Sequence, residues 1–149
     1  MASAATARCS AAVRALPSRA RARPGRRAQA ALLVDLVGHL RGLEAIHPGP
    51  GEEPNGYSAL WQVTLLKPRA FAERLDHAGV HNSVGSFGLR AASAHPACQA
   101  LRPAPCPVAE QATDGLLAVV LRATDAEHDL RIRAETIQRE AQAWTRTAT

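Results

Sequence analysis

Aromatic side chains are scarce in this chain of 149 residues, which has two Trp, one Tyr and two Phe. A core must therefore be assembled from Leu, Val and Ala, which bury less area per side chain than aromatic rings do. Cysteine is scarce too. Cys9, Cys98 and Cys106 make an odd number with no CxxC pair, which argues against a disulfide framework and fits a reducing compartment. No apolar run approaches the ~20 residues that span a membrane. The N-terminal stretch is interrupted by Arg throughout and has no secretory core. These absences point to a cytoplasmic protein with no membrane partner. Lysine occurs once, at Lys67, and acid is missing before Asp35, a stretch that holds seven Arg. Removing those seven from the 18 basic residues leaves 11 against 13 acids. The net charge of +5 thus belongs to one segment, and the body of the chain is near neutral.

Five of those seven Arg lie in residues 1–25, a small-residue-rich stretch broken by Pro17 and Pro24. Its composition is that of a poorly ordered terminus, of an organelle-targeting leader, or of a basic arm that touches nucleic acid. A stacking aromatic would favour the last reading, and none precedes Tyr57. From residue 26 the pattern sharpens into a domain over 26–144. Leu32, Leu33, Leu36, Val37, Leu40 and Leu43 recur at helical spacing and predict a helix over about 27–42. Gly42 and Pro48 end it, Gly38 marks close packing within it, and Arg27, Asp35 and Arg41 take its wet side. Residues 47–56 are a Pro/Gly loop, and 57–66 read as an interior strand covered on both faces. Pro68 opens a helix with Phe71, Leu75 and Ala78 on its buried face; Gly79 stops it, and 80–84 form a short strand.

Residues 85–106 carry Pro96, Pro103 and Pro105 and read as an irregular insert. Pro107 starts a short helix that Gly115 ends, and 116–121, LLAVVL, form the clearest strand. Thr124 or Asp125 caps a last helix, with Glu127 and Asp129 at the positive end of its dipole. Leu130, Ile132, Ala134, Ile137 and Ala141 make its apolar face, and it runs to about Trp144. The fold class is α/β (α+β): a two-layer domain of about three strands with helices packed on it.

Catalytic, cofactor and metal residues do not stand out. GSFG at 85–88 lacks the G-x-S-x-G spacing of a nucleophile elbow, so Ser86 reads as a turn residue. His77 and His81 are four apart, but Gly79 breaks the helix that would align them on a metal. Cys98 and Cys106 read as free thiols, and Glu110, Asp125, Glu127 and Asp129 as helix-start charges. No G-x-G-x-x-G or P-loop occurs.

Four stretches in order resemble one family. RRAQAALLVDLVGHLRGLEAIHPGPGEEPNGYSALWQVTL is similar to the start of the small C-terminal domain of the DegT/DnrJ/EryC1/StrS aminotransferases, an arginine-led helix followed by "GL", a Pro-rich loop and a strand opening on an aromatic. PRAFAERLDHAGV resembles their next helix, PCPVAEQATDGLLAVVL their "P-V-A-E" helix and the strand after it, and TDAEHDLRIRAETIQ their closing helix. Together these cover about residues 26–140. The resemblance implies the small domain of a fold-type I pyridoxal-phosphate enzyme that moves an amino group to a keto-sugar or cyclitol as a dimer. It also implies a larger domain carrying the cofactor and the Schiff-base lysine. With nothing upstream of residue 26 able to supply that domain, and Lys67 reading as a surface lysine, the expectation is a truncated or remnant domain. Such a domain binds no cofactor alone, is not catalytic alone, and has a large cofactor domain or a second copy as its partner. The rival expectation is a non-enzymatic partner-binding domain with a basic targeting or nucleic-acid-contacting arm.

Overall fold

A computed structural model describes residues 24–101 and 104–147. The reading of the basic terminus falls almost wholly on 1–23, outside the described residues. The elements are α1 (Pro24–Val37), β1 (Leu43–Ala45), β2 (Ser58–Val63), α2 (Pro68–His77), α3 (Pro107–Gly115), β3 (Leu116–Val120) and α4 (Glu127–Thr147). The three strands form one antiparallel sheet in the order β1-β2-β3, with Glu44 opposite Gln62 and Leu60 opposite Ala118.

Burial alternates along the strands, so the sheet has two unlike faces. Ala59, Trp61 and Val63 of β2 point inward with Leu43, Leu117 and Val119. They share one core with Leu33 and Val37 of α1, Phe71 and Leu75 of α2, and Leu130, Ala134, Ile137 and Ala141 of α4. Directly opposed residues of an antiparallel pair lie on the same face. Glu44, Ser58, Leu60, Gln62, Leu116, Ala118 and Val120 therefore share the other face, where all but the exposed Glu44 are half-buried. The expectation that β2 is covered on both faces is corrected: it is interior by pairing, yet only one of its faces lies in the core.

Other boundaries also move, each for a local reason. α1 stops at Val37, earlier than expected, because Gly38 takes a left-handed φ of 64° and donates its N–H to the Val34 carbonyl. Gly38 is thus a terminator and not an interior packing residue. Residues 80–84, expected as a strand, make a single bridge, Asn82 to Val119, with Ser83 N–H bonded to the Ala118 carbonyl. The chain turns there because Asn82 is fully buried and spends its side chain on local backbone. Its amide nitrogen donates to the Ala72 and Val80 carbonyls at 2.8 and 3.0 Å, and its oxygen accepts from Val84 and Gly85 N–H.

α4 is not capped by Thr124 or Asp125. Asp129 reaches back to the Ala126 N–H at 2.8 Å, while Asp125 accepts the Arg122 N–H and grips Arg133 with two bonds of 2.7 Å. α4 runs past Trp144 to Thr147, and Ile132, expected on its apolar face, is 49% exposed. The insert contains two 3-10 turns, Ala92–Ala94 and Pro96–Leu101. Arg69 ties it to the body through the Leu89 carbonyl, and Ser93 bonds Glu110.

Candidate functional site

The larger of two concavities among the described residues, about 530 Å³, lies where the sheet runs out beside α1. Sequence dictates the opening. β1 is only three residues long, and the chain then enters the Pro/Gly loop, so β2 loses its neighbour beyond the bond from the Ile46 N–H to the Leu60 carbonyl. Extending the register places Pro48 opposite Ser58. Proline has no N–H to give the Ser58 carbonyl, and the edge there stays open. The floor is apolar, from Ala30, Val34, Ile46 and Leu60. The rim carries carboxylates at Asp35, Glu52 and Glu53 and a single guanidinium, Arg27.

Two contacts hold this loop against α1. Arg27 pairs with Glu53 at 2.8 Å, and Arg26 lies 4.7 Å above the Tyr57 ring. Gly56, with φ 71°, allows the close pass: a Cβ there would sit 2.8 Å from the Arg27 backbone nitrogen. Glu52 accepts the Gly49 N–H, and Asp35 has no ion pair among the described residues. In sequence Asp35 falls on a wet helix side and Glu52 and Glu53 in a Pro/Gly loop, and only the fold brings them together around one groove.

A second concavity of about 270 Å³ is lined by His81, Ser86, Phe87, Val120, Arg122 and Arg133. Beside it stands the arrangement most like a catalytic one. Ser86 Oγ donates to Asp76 Oδ1 at 2.5 Å, and His81 Nδ1 lies 3.0 Å from the same oxygen and 3.3 Å from Ser86 Oγ. In a nucleophilic triad the hydroxyl proton goes to the base, and the acid holds the base's opposite nitrogen. Here the hydroxyl proton goes to the acid, and one His nitrogen faces both partners. Ser86 Oγ also accepts the Asn82 N–H at 3.0 Å. The group is a clasp that fastens the 80–86 turn to the end of α2. The Ser86 hydroxyl and then His81 hold the Asp76 carboxyl below its ordinary value.

The other residues raised from sequence stay apart. His77 bonds the Glu73 carbonyl within its own helix, and no cluster of His, Cys, Asp or Glu suited to a metal occurs among the described residues. Cys98 and Cys106 are free thiols. Lys67 is exposed in the turn before α2, with a left-handed φ of 55°, and lines neither concavity. No described helix is long and apolar enough to cross a membrane.

Comparison with solved structures gives the fold a relative. The chain is similar to the sugar aminotransferase CalS13 from Micromonospora echinospora, with a TM-score of 0.60 and 24% identity over 76% of this chain. Its fold is similar to part of that enzyme's. The match spans 29% of that enzyme's length. No family model matches the chain, and no curated protein does.

Pyridoxal phosphate, the cofactor that the resemblance implies, needs a lysine amine set in a cavity with an acid for its ring nitrogen. Lys67, outside both concavities, does not meet that requirement, so the described residues do not fit the cofactor and no chemical step runs through it here.

Proposed function

We propose that this chain is a small domain of the DegT/DnrJ/EryC1/StrS type, a truncated or remnant part of a pyridoxal-phosphate sugar aminotransferase that does not catalyse alone. The observation that carries the reading is the likeness to CalS13 over three-quarters of the chain. The two-faced sheet supports it. All three core-forming helices lie on one face, while Leu60, Leu116, Ala118 and Val120 remain half-buried on the other. A partly exposed sheet face of this kind is the surface on which a larger cofactor-carrying domain or a second copy would rest. In this reading the partner supplies the lysine, the acid and the phosphate donors, and this chain supplies a docking layer.

Two measurements test it. Titrated with pyridoxal phosphate, the purified chain should give no Schiff-base absorbance beyond that of its Lys67→Arg variant, and no amino transfer to a keto-sugar. A specific band with activity, both lost on that substitution, would overturn the claim that the chain is not catalytic alone. Sequencing the DNA around the Met1 codon should reveal coding sequence for the larger domain, intact or decayed; flanks with no trace of it would count against the remnant.

A further inference from the structure

We infer that the groove between α1 and the 46–55 loop is the docking site of the chain's own arginine-rich segment, residues 14–23. This stands independently of the aminotransferase reading, since it uses only charge, reach and the open edge of β2.

Charge comes first. Asp35, Glu52 and Glu53 on the rim face one guanidinium, Arg27, so the groove is acidic overall. Residues 14–23 carry Arg14, Arg19, Arg21 and Arg23 and no acid. Guanidinium groups pair with carboxylates through a planar fork of donors, which suits them to such a rim better than ammonium groups.

Side-chain size agrees with charge. Residues 19–23 read Arg-Ala-Arg-Ala-Arg. Successive side chains of an extended chain point to opposite sides. Such a stretch can offer arginines to the rim and small alanines to the floor of Ala30, Val34, Ile46 and Leu60. The Ser58 carbonyl, facing Pro48 in register, offers main-chain hydrogen bonding to a peptide laid along the open edge.

Reach completes the argument. The segment joins α1 at Pro24, and the groove borders that helix from Arg27 to Asp35. The helix rises roughly 17 Å from residue 24 to residue 35, and six residues of chain can reach roughly 20 Å. Residues 18–23 are therefore long enough to cover the groove without help from a second molecule. An external ligand of the groove would have to displace them.

The test uses the full chain. Trypsin cleavage after Arg19 and Arg21, followed by mass spectrometry at low salt, reads whether these arginines are engaged. Asp35→Asn, Glu52→Gln and Glu53→Gln together should speed that cleavage about tenfold, the sum expected of several exposed ion pairs. Raising the salt to about 0.5 M should speed it in the parent chain and leave the triple variant unchanged. Near-ultraviolet circular dichroism from the buried Trp61 checks that the variant is folded. As a second variant, Arg19→Glu with Arg21→Glu should raise the hydrogen-exchange rate of the groove amides in an otherwise unaltered domain. Equal cleavage in parent and triple variant at both salt levels would overturn the inference. So would protection that grows with protein concentration, which would assign the groove to a second copy.

Discussion

At the scale of single residues, the turn after α2 shows how much one buried polar side chain can decide. Asn82 is fully buried and satisfies four backbone groups, two carbonyls and two amides. Replacing it with Ala removes every one of those bonds and leaves the groups desolvated. Asn82→Ala should therefore lower stability by about 3 kcal/mol, the cost of a few unsatisfied buried groups, read as a shift of the urea midpoint. The identity of this residue also explains why 80–84 is legible as a strand from sequence but does not fold as one. Val80, Val84 and the apolar alternation favour a strand, and nothing in the string shows that Asn82 would be enclosed by α2. Lys67 is a contrary case. Its solitary position in the sequence invites a functional reading, yet its exposed turn setting gives it no chemical partner in either concavity.

Among the elements, the junction of β3 with α4 is set by an ion pair between Asp125 and Arg133. Asp125, with a side chain 5% exposed, holds Arg133 by two bonds, accepts the Arg122 N–H, and gives its carbonyl to Gln29 on α1. One residue thus links the last strand, the last helix and the first helix. Asp125→Ala would strand a nearly buried guanidinium, and breaking such a pair costs about 3 kcal/mol. Arg133→Leu added to Asp125→Ala should recover part of that loss, because the uncompensated charge goes with it. Denaturant midpoints for the two variants check this, and equal or greater loss in the double variant would refute the account. In sequence, Asp125 passes for a helix cap, since an acid just before an apolar-periodic run is the usual signature. Asp129, one turn in, takes that role because Asp125 is already committed.

For the whole molecule, acid sensitivity follows from two carboxylates that bind separate elements together. Asp76 is held below its ordinary value by the Ser86 hydroxyl and His81, and Glu140 by Arg74 and then Arg139. Glu140 meets Arg74 at 2.6 Å and so ties α4 to α2. A carboxylate whose folded pKa is depressed contributes stability that is complete above its unfolded value, about 4, and lost as pH falls through the folded value. Stability should therefore be flat near neutrality and decline below about pH 4. Glu140→Gln should be less stable at neutral pH yet show a shallower decline in acid, measured as thermal midpoints across a pH series. Parallel curves for the two proteins would remove Glu140 from the explanation.

The sequence by itself determined the helices, two of the three strands and most of the core; β1 was not legible, with Leu43 read into the first helix, 80–84 is a turn, and Ala78, read as buried, is exposed. Helical spacing in α1, the Pro-opened α2 and α3, the Val-rich β3 and the apolar repeat of α4 all express local preference and periodicity, which each segment carries wherever it is placed. Their order was also enough for the resemblance to an aminotransferase small domain, and the likeness to CalS13 supports an α+β fold similar to part of a sugar aminotransferase. Only the tertiary structure decided which face of β2 is covered, where Asn82 turns the chain, and that Asp35 shares a groove with Glu52 and Glu53 across the edge left by a three-residue β1. Those features depend on contacts between residues distant in the chain. Burial, register and the meeting of charges belong to the packed assembly of segments, and no segment holds them alone.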